Sequence, residues 1–194
     1  RKKEVKQFVG AYNNILWIYL NSKEFIALDI QSGELKYDIT GVEKSNLIGD
    51  VDSYIDNENN FIFYDTEYIL DGKKGKIIGL IADRFFEVDL RSENIEPKLF
   101  GLWDKMKRAG VNKDDVNSKN VLYGNSLYFY LQNQLKLCIL DINTKEILYV
   151  SEVIDATISE YNTKQIKDMQ IDNENVYLLD SGGTLHVFEK EKDI

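Results

Sequence analysis

Short apolar runs alternate along the chain with clusters of Asn, Asp, Ser, Gly and Lys. Runs such as ILWIYL, SLYFYL and NVYLL are rich in β-branched and aromatic residues, which favour strands over helices. Asn and Asp side chains hydrogen-bond to the backbone two residues further on, so the polar clusters between the runs predict turns. The pattern predicts an all-β fold built from successive hairpins.

The pentapeptide IDNEN occurs twice, at residues 55–59 and 171–175. Each copy is followed by an apolar run, a polar cluster and a second apolar run, so we interpret both copies as the same turn of a repeated β unit. Two further units with this order begin at Asn13 and Gly124. Four units in 194 residues give about 48 residues each, close to the length of a four-stranded propeller blade.

The four units share an acidic residue at the end of an apolar run. When the units are aligned on this feature, the shared pairs are Leu28-Asp29, Leu70-Asp71, Leu140-Asp141 and Phe188-Glu189. Gly33 and Gly75 follow the first two acids by four residues, and Lys145 follows the third. An Asp followed by a residue at positive φ is typical of an Asx-type turn, which we favour over a metal-ligand role for these aspartates.

Residues 81–119 depart from the repeat. They contain one strand-like run, FFEVDL, and then a segment in which Leu99, Leu102, Trp103 and Met106 recur at helical spacing before Gly110. We therefore predict a single domain over residues 1–194, with an irregular insertion at 81–119 and a short helix near 101–110.

Three segments, IALDIQSGEL, YILDGKKGKI and CILDINTKEI, resemble the repeat of the PQQ-like, or WD40-like, β-propeller family. That resemblance implies a propeller of about four blades, which is a small closed ring, a partial propeller completed by another chain, or a fragment. Where the family places a Trp that docks neighbouring blades, this chain has Tyr37, Gly79 and Tyr149. In a ring, the initial run VKQFVGAY could pair beside the last unit and cover its open edge.

The net charge of the chain indicates which class of partner to expect. A net charge of −9 and a pI near 4.8 disfavour direct binding to nucleic acid and favour a basic protein. Cys138 is the sole cysteine, so no disulfide forms within the chain, and a reducing compartment such as the cytoplasm is favoured over the bacterial periplasm. No apolar run has the length of a membrane span.

Candidate catalytic groups are few. His186 is the sole histidine, and it aligns with Ile26, Tyr68 and Cys138, a variety that indicates packing and not catalysis. The carboxylate pairs Asp50/Asp52, Asp56/Glu58 and Asp172/Glu174 lack the glycine of a calcium loop and are interpreted as solvated turns. SGG at 181–183 is interpreted as a hairpin turn and not as a phosphate loop. We expect no enzyme activity, cofactor or metal.

These observations favour a non-enzymatic protein-binding module. The sharpest form of the hypothesis is an inhibitor or immunity protein that covers a basic toxin. Alternatives are a scaffold subunit of an envelope or multiprotein assembly, and a quinoprotein-like or carboxylate-dependent propeller enzyme. Trp and Arg are enriched where proteins meet, and acidic turns suit a basic partner. The predicted partner-binding residues are Trp103, Lys105, Arg108, Asp56, Glu58, Asp172 and Glu174.

Overall fold

The apolar runs of the sequence form strands in the computed structural model, which describes residues 3–49, 60–61, 66–117, 119–158 and 163–190. The chain divides into two compact units, Arg1–Leu102 and Trp103–Ile194. Among the described residues, no helix is both long and apolar enough to cross a membrane.

The first unit contains two sheets of four and five strands and one small strand pair. Its strands are β1 (Val5–Tyr12), β2 (Ile15–Leu20), β3 (Phe25–Asp29), β4 (Leu35–Ile39), β5 (Val42–Glu43), β6 (Leu47–Ile48), β7 (Asn60–Phe61), β8 (Ile69–Asp71), β9 (Lys76–Ile81), β10 (Arg84–Asp89) and β11 (Pro97–Gly101). A 3-10 turn spans Lys44–Asn46.

Sheet 1 has the strand order β1-β2-β3-β4, with each strand antiparallel to the next. Sheet 2 has the order β6-β11-β10-β9-β8, and only its edge strand β6 is parallel to its neighbour. Strands β5 and β7 pair with each other in the small sheet. The run VKQFVGAY is thus the first strand of sheet 1, paired with β2, and the expectation that it pairs beside the last unit was wrong.

Aromatic rings fill the core of the first unit. Tyr19 and Phe25 of sheet 1 meet Tyr68 and Phe86, with ring centroids 4.6–5.6 Å apart. The Gln7 side chain also joins the first strand to this core, because its Nε2 donates to Tyr68 O at 2.7 Å and its Oε1 accepts from Tyr68 N at 3.1 Å. All four rings are almost fully buried, and rings in such contact stabilise a core beyond their area alone.

The second unit contains one helix and two sheets. Its elements are α1 (Trp103–Arg108), a 3-10 turn (Lys113–Asp115), β12 (Val121–Tyr123), β13 (Ser126–Leu131), β14 (Lys136–Asp141), β15 (Ile147–Val150), β16 (Ile166–Ile171), β17 (Asn175–Asp180) and β18 (Leu185–Glu189). Sheet 3 has the order β12-β13-β14-β15, and sheet 4 has the order β16-β17-β18. Tyr130 and Leu137 of sheet 3 share a buried cluster with Met169 and Leu178 of sheet 4.

The short helix predicted near 101–110 is present as α1, and Gly110 ends it. Gly110 has φ +73°, its N–H donates to Lys107 O at 3.1 Å, and the N–H of Val111 donates to Met106 O at 2.9 Å. This pair of bonds is the Schellman arrangement, in which glycine supplies the left-handed residue without strain.

The predicted all-β, propeller-like fold class is confirmed by the four mainly antiparallel sheets. The prediction that all of 81–119 is an insertion was wrong, because β10 and β11 belong to sheet 2. They are the third and fourth strands of its antiparallel part, β8-β9-β10-β11, by which the strands of sheet 2 are numbered below. The helix and the 3-10 turn occupy the rest of that segment.

The second unit of the repeat was aligned on the wrong strand. Asp29 and Asp141 end the third strands of their sheets, whereas Asp71 ends the first strand of sheet 2, and its third strand ends at Asp89. Gly79 likewise lies in the second strand, so it has no equivalence with Tyr37 or Tyr149 of the fourth strands.

The Asx turns were predicted correctly. Oδ1 of Asp29 accepts from the N–H groups of the residues two and three positions later, and Asp71 and Asp141 do the same, at 2.7–3.1 Å. Gly33, Gly75 and Lys145 all have positive φ, between 61° and 72°. These carboxylates therefore hold hairpins.

Candidate protein-binding surface

One face of sheet 4 presents apolar side chains to solvent. Directly opposite residues of β17 and β18 share a face, as Leu179 and Leu185 do. On β16, Asp168 lies opposite Leu179, and alternate residues of each strand continue the same face. We call this set the sheet-4 face; it consists of Asp168, Gln170, Tyr177, Leu179, Leu185, Val187 and Glu189.

The sheet-4 face is more exposed than the corresponding part of sheet 3. Leu185 and Val187 expose 56% and 53% of their surface and Leu179 exposes 37%, whereas Leu127 to Leu131 of sheet 3 are buried on both faces. A hollow of about 320 Å³ lies against the sheet-4 face and is lined by Asp168, Met169, Gln170, Tyr177, Leu179 and Leu185. Apolar side chains grouped in this way, with a carboxylate at either end, are typical of a surface that contacts another protein.

The second IDNEN copy is the turn between β16 and β17, as predicted, and the first copy lies outside the described residues. The Asp172 carboxylate accepts from Glu174 N at 2.8 Å, from Asn175 N at 2.7 Å and from Tyr177 Oη at 2.8 Å. These hydrogen bonds, those from the two backbone N–H groups first, hold the pKa of Asp172 below its usual value. Asp172 is thus engaged within its own turn.

Glu174 differs from Asp172 in the same turn. Its backbone is bonded, since its N–H donates to Asp172 and its C=O accepts from Lys190 N at 2.7 Å. Its side chain is exposed, and within the described part of the chain no hydrogen bond or ion pair engages its carboxylate. Of the predicted acidic residues that the structure describes, Glu174 is therefore the one that offers an uncommitted charge. Asp56 and Glu58 lie outside the described residues.

Lys190, the residue after β18, contacts the same turn. Its Nζ lies 3.3 Å from the ring centroid of Tyr123 and donates to Asp172 O. The Tyr123 hydroxyl donates to Asn173 Oδ1 at 2.6 Å. The Tyr123 ring and the carbonyl group of Asp172 both contact the Lys190 ammonium group, so Lys190 stabilises the turn between β16 and β17 and is not part of a free basic patch.

Two basic residues of helix α1, Lys105 and Arg108, lie near the Glu146 carboxylate. Lys105 Nζ lies 2.8 Å from Glu146 Oε1 and donates to Thr144 O at 3.0 Å, and Arg108 Nη2 lies 3.9 Å from Glu146 Oε2. The hydrogen bond from Lys105 lowers the pKa of Glu146. Trp103 is half-buried, with Lys113 Nζ 5.1 Å from its ring centroid. These predicted partner-binding residues lie together on one helix.

His186 is paired with a buried carboxylate that the sequence analysis did not connect with it. Its Nε2 lies 3.0 Å from Oδ2 of Asp180, which also accepts from Thr157 N at 2.5 Å, while Oδ1 accepts from Gly182 N at 3.0 Å and Thr184 N at 2.8 Å. Burial alone would raise the pKa of Asp180, but these bonds outweigh it and hold the pKa far below its usual value. Asp180 therefore secures the hairpin at 181–183.

The remaining candidate chemical groups lie in structural positions. Cys138 is fully buried in β14, and burial raises the pKa of its thiol to about 12, which keeps it protonated. Its equivalent in sheet 2 is Phe86 and not Tyr68, since each lies three residues before the acid that ends the third strand. Within the described residues, no group of three or more His, Cys, Asp or Glu side chains is placed to hold a metal ion.

The sequence analysis missed the sheet-4 face. The signal that could have found it is LHVFE, in which Leu185 and Val187 place two apolar side chains on the same face of a strand as Glu189. An edge strand whose outward positions are Leu185 and Val187 is an unusual choice, because natural edge strands carry charges or Pro.

Comparison with known proteins supports the fold class. No protein-family model matches the chain, and a search of curated proteins also gave no match. Among solved structures, the chain is similar to Sqt1 of Saccharomyces cerevisiae, with 13% identity and a TM-score of 0.53 over 92% of this chain and 42% of that one. It is also similar to the β-propeller domain of Cps50 (Swd1) of Myceliophteria thermophila, with 12% identity and a TM-score of 0.51 over 93% of this chain and 51% of that one.

A third similar structure is the computationally designed Ika4 protein, with 12% identity and a TM-score of 0.50 over 96% of this chain and 95% of that one. The chain thus spans about half of the natural propellers or less, and nearly all of the designed protein. At these identities the likeness concerns the fold, and the chain has a propeller-like fold.

Proposed function

We propose that this protein is a non-enzymatic protein-binding module, of the PQQ-like propeller type, that engages a basic protein. The observation that carries the proposal is the sheet-4 face, where three exposed apolar side chains lie between Asp168, whose Oδ1 is 3.3 Å from Lys119 Nζ, and the exposed Glu189. Apolar contacts at the centre of such a patch supply affinity, while the acidic rim supplies orientation and a faster encounter.

The overall charge supports the same choice of partner. A net charge of −9 attracts a basic surface over a distance of about 8–10 Å at physiological salt. The sharper form of the proposal is an inhibitor that covers the active surface of a basic toxin such as a nuclease. Small size and high negative charge suit that task, because such an inhibitor must occupy a surface that evolved to bind phosphates.

Two residues at one end of the fourth sheet are proposed to make the charged contacts. Glu174 and Glu189 are both exposed, and the residue next to Glu174, Asn175, lies directly opposite Glu189. Neither carboxylate takes part in a hydrogen bond or ion pair among the described residues. Both charges can therefore be removed without loss of a described contact within the chain.

The test uses immobilised protein and the soluble extract of its natural host. The variants are the double change Glu174→Gln with Glu189→Gln, and a matched control, Glu67→Gln with Glu93→Gln, which removes the same charge from exposed positions in the first unit. We expect one basic protein to be retained by the natural chain at about 0.05 M salt and released at about 0.5 M. That protein, once identified and purified, should bind the first variant at least about fivefold more weakly and the control nearly as well as the natural chain.

Equal weakening in both double variants would show a non-specific charge effect and contradict the proposal. Retention of a partner that salt does not release would favour a scaffold subunit. A visible chromophore or a stoichiometric metal in the purified protein would favour the enzyme alternative instead, so absorbance and metal content are measured on the same preparation.

A further inference from the structure

Sheet 4 is one strand short of sheets 1 and 3 and of the antiparallel part of sheet 2, β8 to β11. In sheets 1, 2 and 3 the third strand carries an antiparallel fourth strand, β4 on β3, β11 on β10 and β15 on β14. In sheet 4 the third strand is β18, and among the described residues no strand pairs with its outer edge. The repeated architecture indicates what fits this edge, namely one more antiparallel strand.

The hydrogen-bond register shows which backbone groups the edge offers. Asp180 N donates to Thr184 O at 3.0 Å, and Lys190 N donates to Glu174 O at 2.7 Å, on either side of β18. In an antiparallel pair, residues alternate between those bonded to the partner strand and those that point away from it. Residues 186 and 188 therefore bond to β17, and the N–H and C=O groups of residues 185, 187 and 189 point to the free edge.

The same three residues present their side chains on the sheet-4 face. Leu185 and Val187 are more than half exposed and are followed by the exposed carboxylate of Glu189. The side chains between them, His186 and Phe188, are half-buried on the other face, where Phe188 packs against the core shared with sheet 3. Discrimination between added strands must therefore come from two apolar positions and one acidic position in a row.

We propose that β18 is the docking edge for an extended segment of the basic partner, which adds as the fourth, antiparallel strand of sheet 4. Main-chain hydrogen bonds give affinity in this mode of recognition, and alternate side chains give specificity. An antiparallel segment places its residues opposite Glu189, Val187 and Leu185 in that order. The complementary segment is Lys or Arg, any residue, an apolar residue, any residue, and a second apolar residue.

The net charge of the chain favours this occupant over a second copy of the chain. Two copies would each bring a net charge of −9 to the contact, and the repulsion opposes self-pairing. A basic strand instead brings a cation to Glu189, which no described residue engages. This inference rests on the proposed function for the sign of the partner's charge, while the geometry of the added strand does not depend on it.

The probe is a synthetic peptide, Thr-Lys-Thr-Val-Thr-Leu-Thr, labelled for fluorescence anisotropy, with a second peptide in which Glu replaces Lys. The natural chain should bind the Lys peptide about fivefold or more tightly than the Glu peptide, and Glu189→Lys should reverse that preference. Val187→Pro should abolish binding of both peptides, because proline removes an edge-facing N–H and leaves the β17 bonds intact. Val187→Thr, which keeps the N–H, should bind the Lys peptide within about threefold of the natural chain.

Three results would overturn the proposal. They are unchanged binding by the Val187→Pro protein, no reversal by the Glu189→Lys protein, and a concentration-dependent dimer of the natural chain that Val187→Pro abolishes. Circular dichroism establishes that the proline variant is folded, and the charge reversal decides the matter without it. If the identified basic partner binds Val187→Pro unchanged, strand addition fails while the proposed function stands. If the peptides bind as expected and no basic partner exists, the proposed function fails while the docking edge stands.

Discussion

Replacing Asp180 with Asn should destabilise the hairpin formed by β17 and β18. The Asp180 carboxylate is fully buried and accepts four hydrogen bonds, two on each oxygen. An amide keeps one acceptor oxygen, which can still serve Gly182 and Thr184. Its NH2 group then faces the N–H of Thr157, so a buried donor loses its acceptor.

The size of the effect follows from those contacts. A hydrogen bond to a charged acceptor contributes about 1.5–3 kcal/mol, and a buried donor left without its acceptor costs about 1–3 kcal/mol. We expect the Asp180→Asn protein to lose about 3 kcal/mol of local stability, which corresponds to an increase of about 100-fold in the equilibrium constant for local opening. Peptide-resolved hydrogen exchange over residues 176–190 measures this opening directly. The matched control is Asp155→Asn, since the Asp155 side chain is fully exposed and faces only Lys164, at 3.5 Å.

The same variant carries a pH signature. Because the pKa of Asp180 is lower in the folded chain than its unfolded value of about 3.9, its contribution is present above pH of about 4 and is lost as pH falls below it. Protection of 176–190 should therefore fall on acidification in the natural chain, and less steeply in Asp180→Asn. If exchange in the variant at neutral pH rises less than about threefold, or no more than in the Asp155 control, the hydrogen bonds of Asp180 do not stabilise this hairpin as described.

Three further outcomes are expected. Glu146→Gln should speed hydrogen exchange in α1 at neutral pH, because it releases Lys105. The difference in exchange between the variant and the natural chain should shrink as pH falls below about 4.5. The pKa of Glu146 is lowered in the folded chain, so the attraction between Glu146 and Lys105 is lost when Glu146 is protonated. Gly33→Ala should lower the free energy of unfolding by about 1–2 kcal/mol in urea titrations, since φ there is +72° and no neighbour lies within contact of an added Cβ, and Gly33→Asn should cost less. Cys138 should resist an aromatic disulfide reagent in the folded protein and react after unfolding, because the thiol is buried and its pKa is raised to about 12.

The hairpin architecture could be predicted because turn chemistry and apolar runs are local signals. The strand order within sheet 2 could not. Asp71 and Asp29 form the same Asx turn, but one lies after a first strand and the other after a third, so the turn does not reveal which hairpin it closes. Strand β10 was assigned to an insertion because it is buried on both faces around Phe85 and Phe86, which removes the alternation that marks a half-exposed strand. Pro97 is compatible with β11 because it is the first residue of that strand.

The acidic residues divide by side-chain length into two roles. Asp172 resembles the turn aspartates of the other hairpins, because a short side chain reaches the N–H groups two and three residues ahead and is thereby engaged. Glu174 and Glu189 are one methylene longer, lie at the same end of sheet 4 and keep exposed carboxylates. The rule that predicts the turn at Asp29 also predicts the turn at Asp172, although Asp172 was in addition predicted to contact a partner.

This division has a consequence for where the negative charge acts. Replacing Asp172 with Ala removes the acceptor of two backbone N–H groups and of the Tyr177 hydroxyl, so its effect should appear in stability. Neutralising Glu174 and Glu189 removes charge from an exposed end of sheet 4 beside the unpaired edge of β18, so its effect should appear in association and leave stability unchanged. The acids that fold this chain and the acids that attract its partner are thus separable by mutation, although they lie within a few residues of each other.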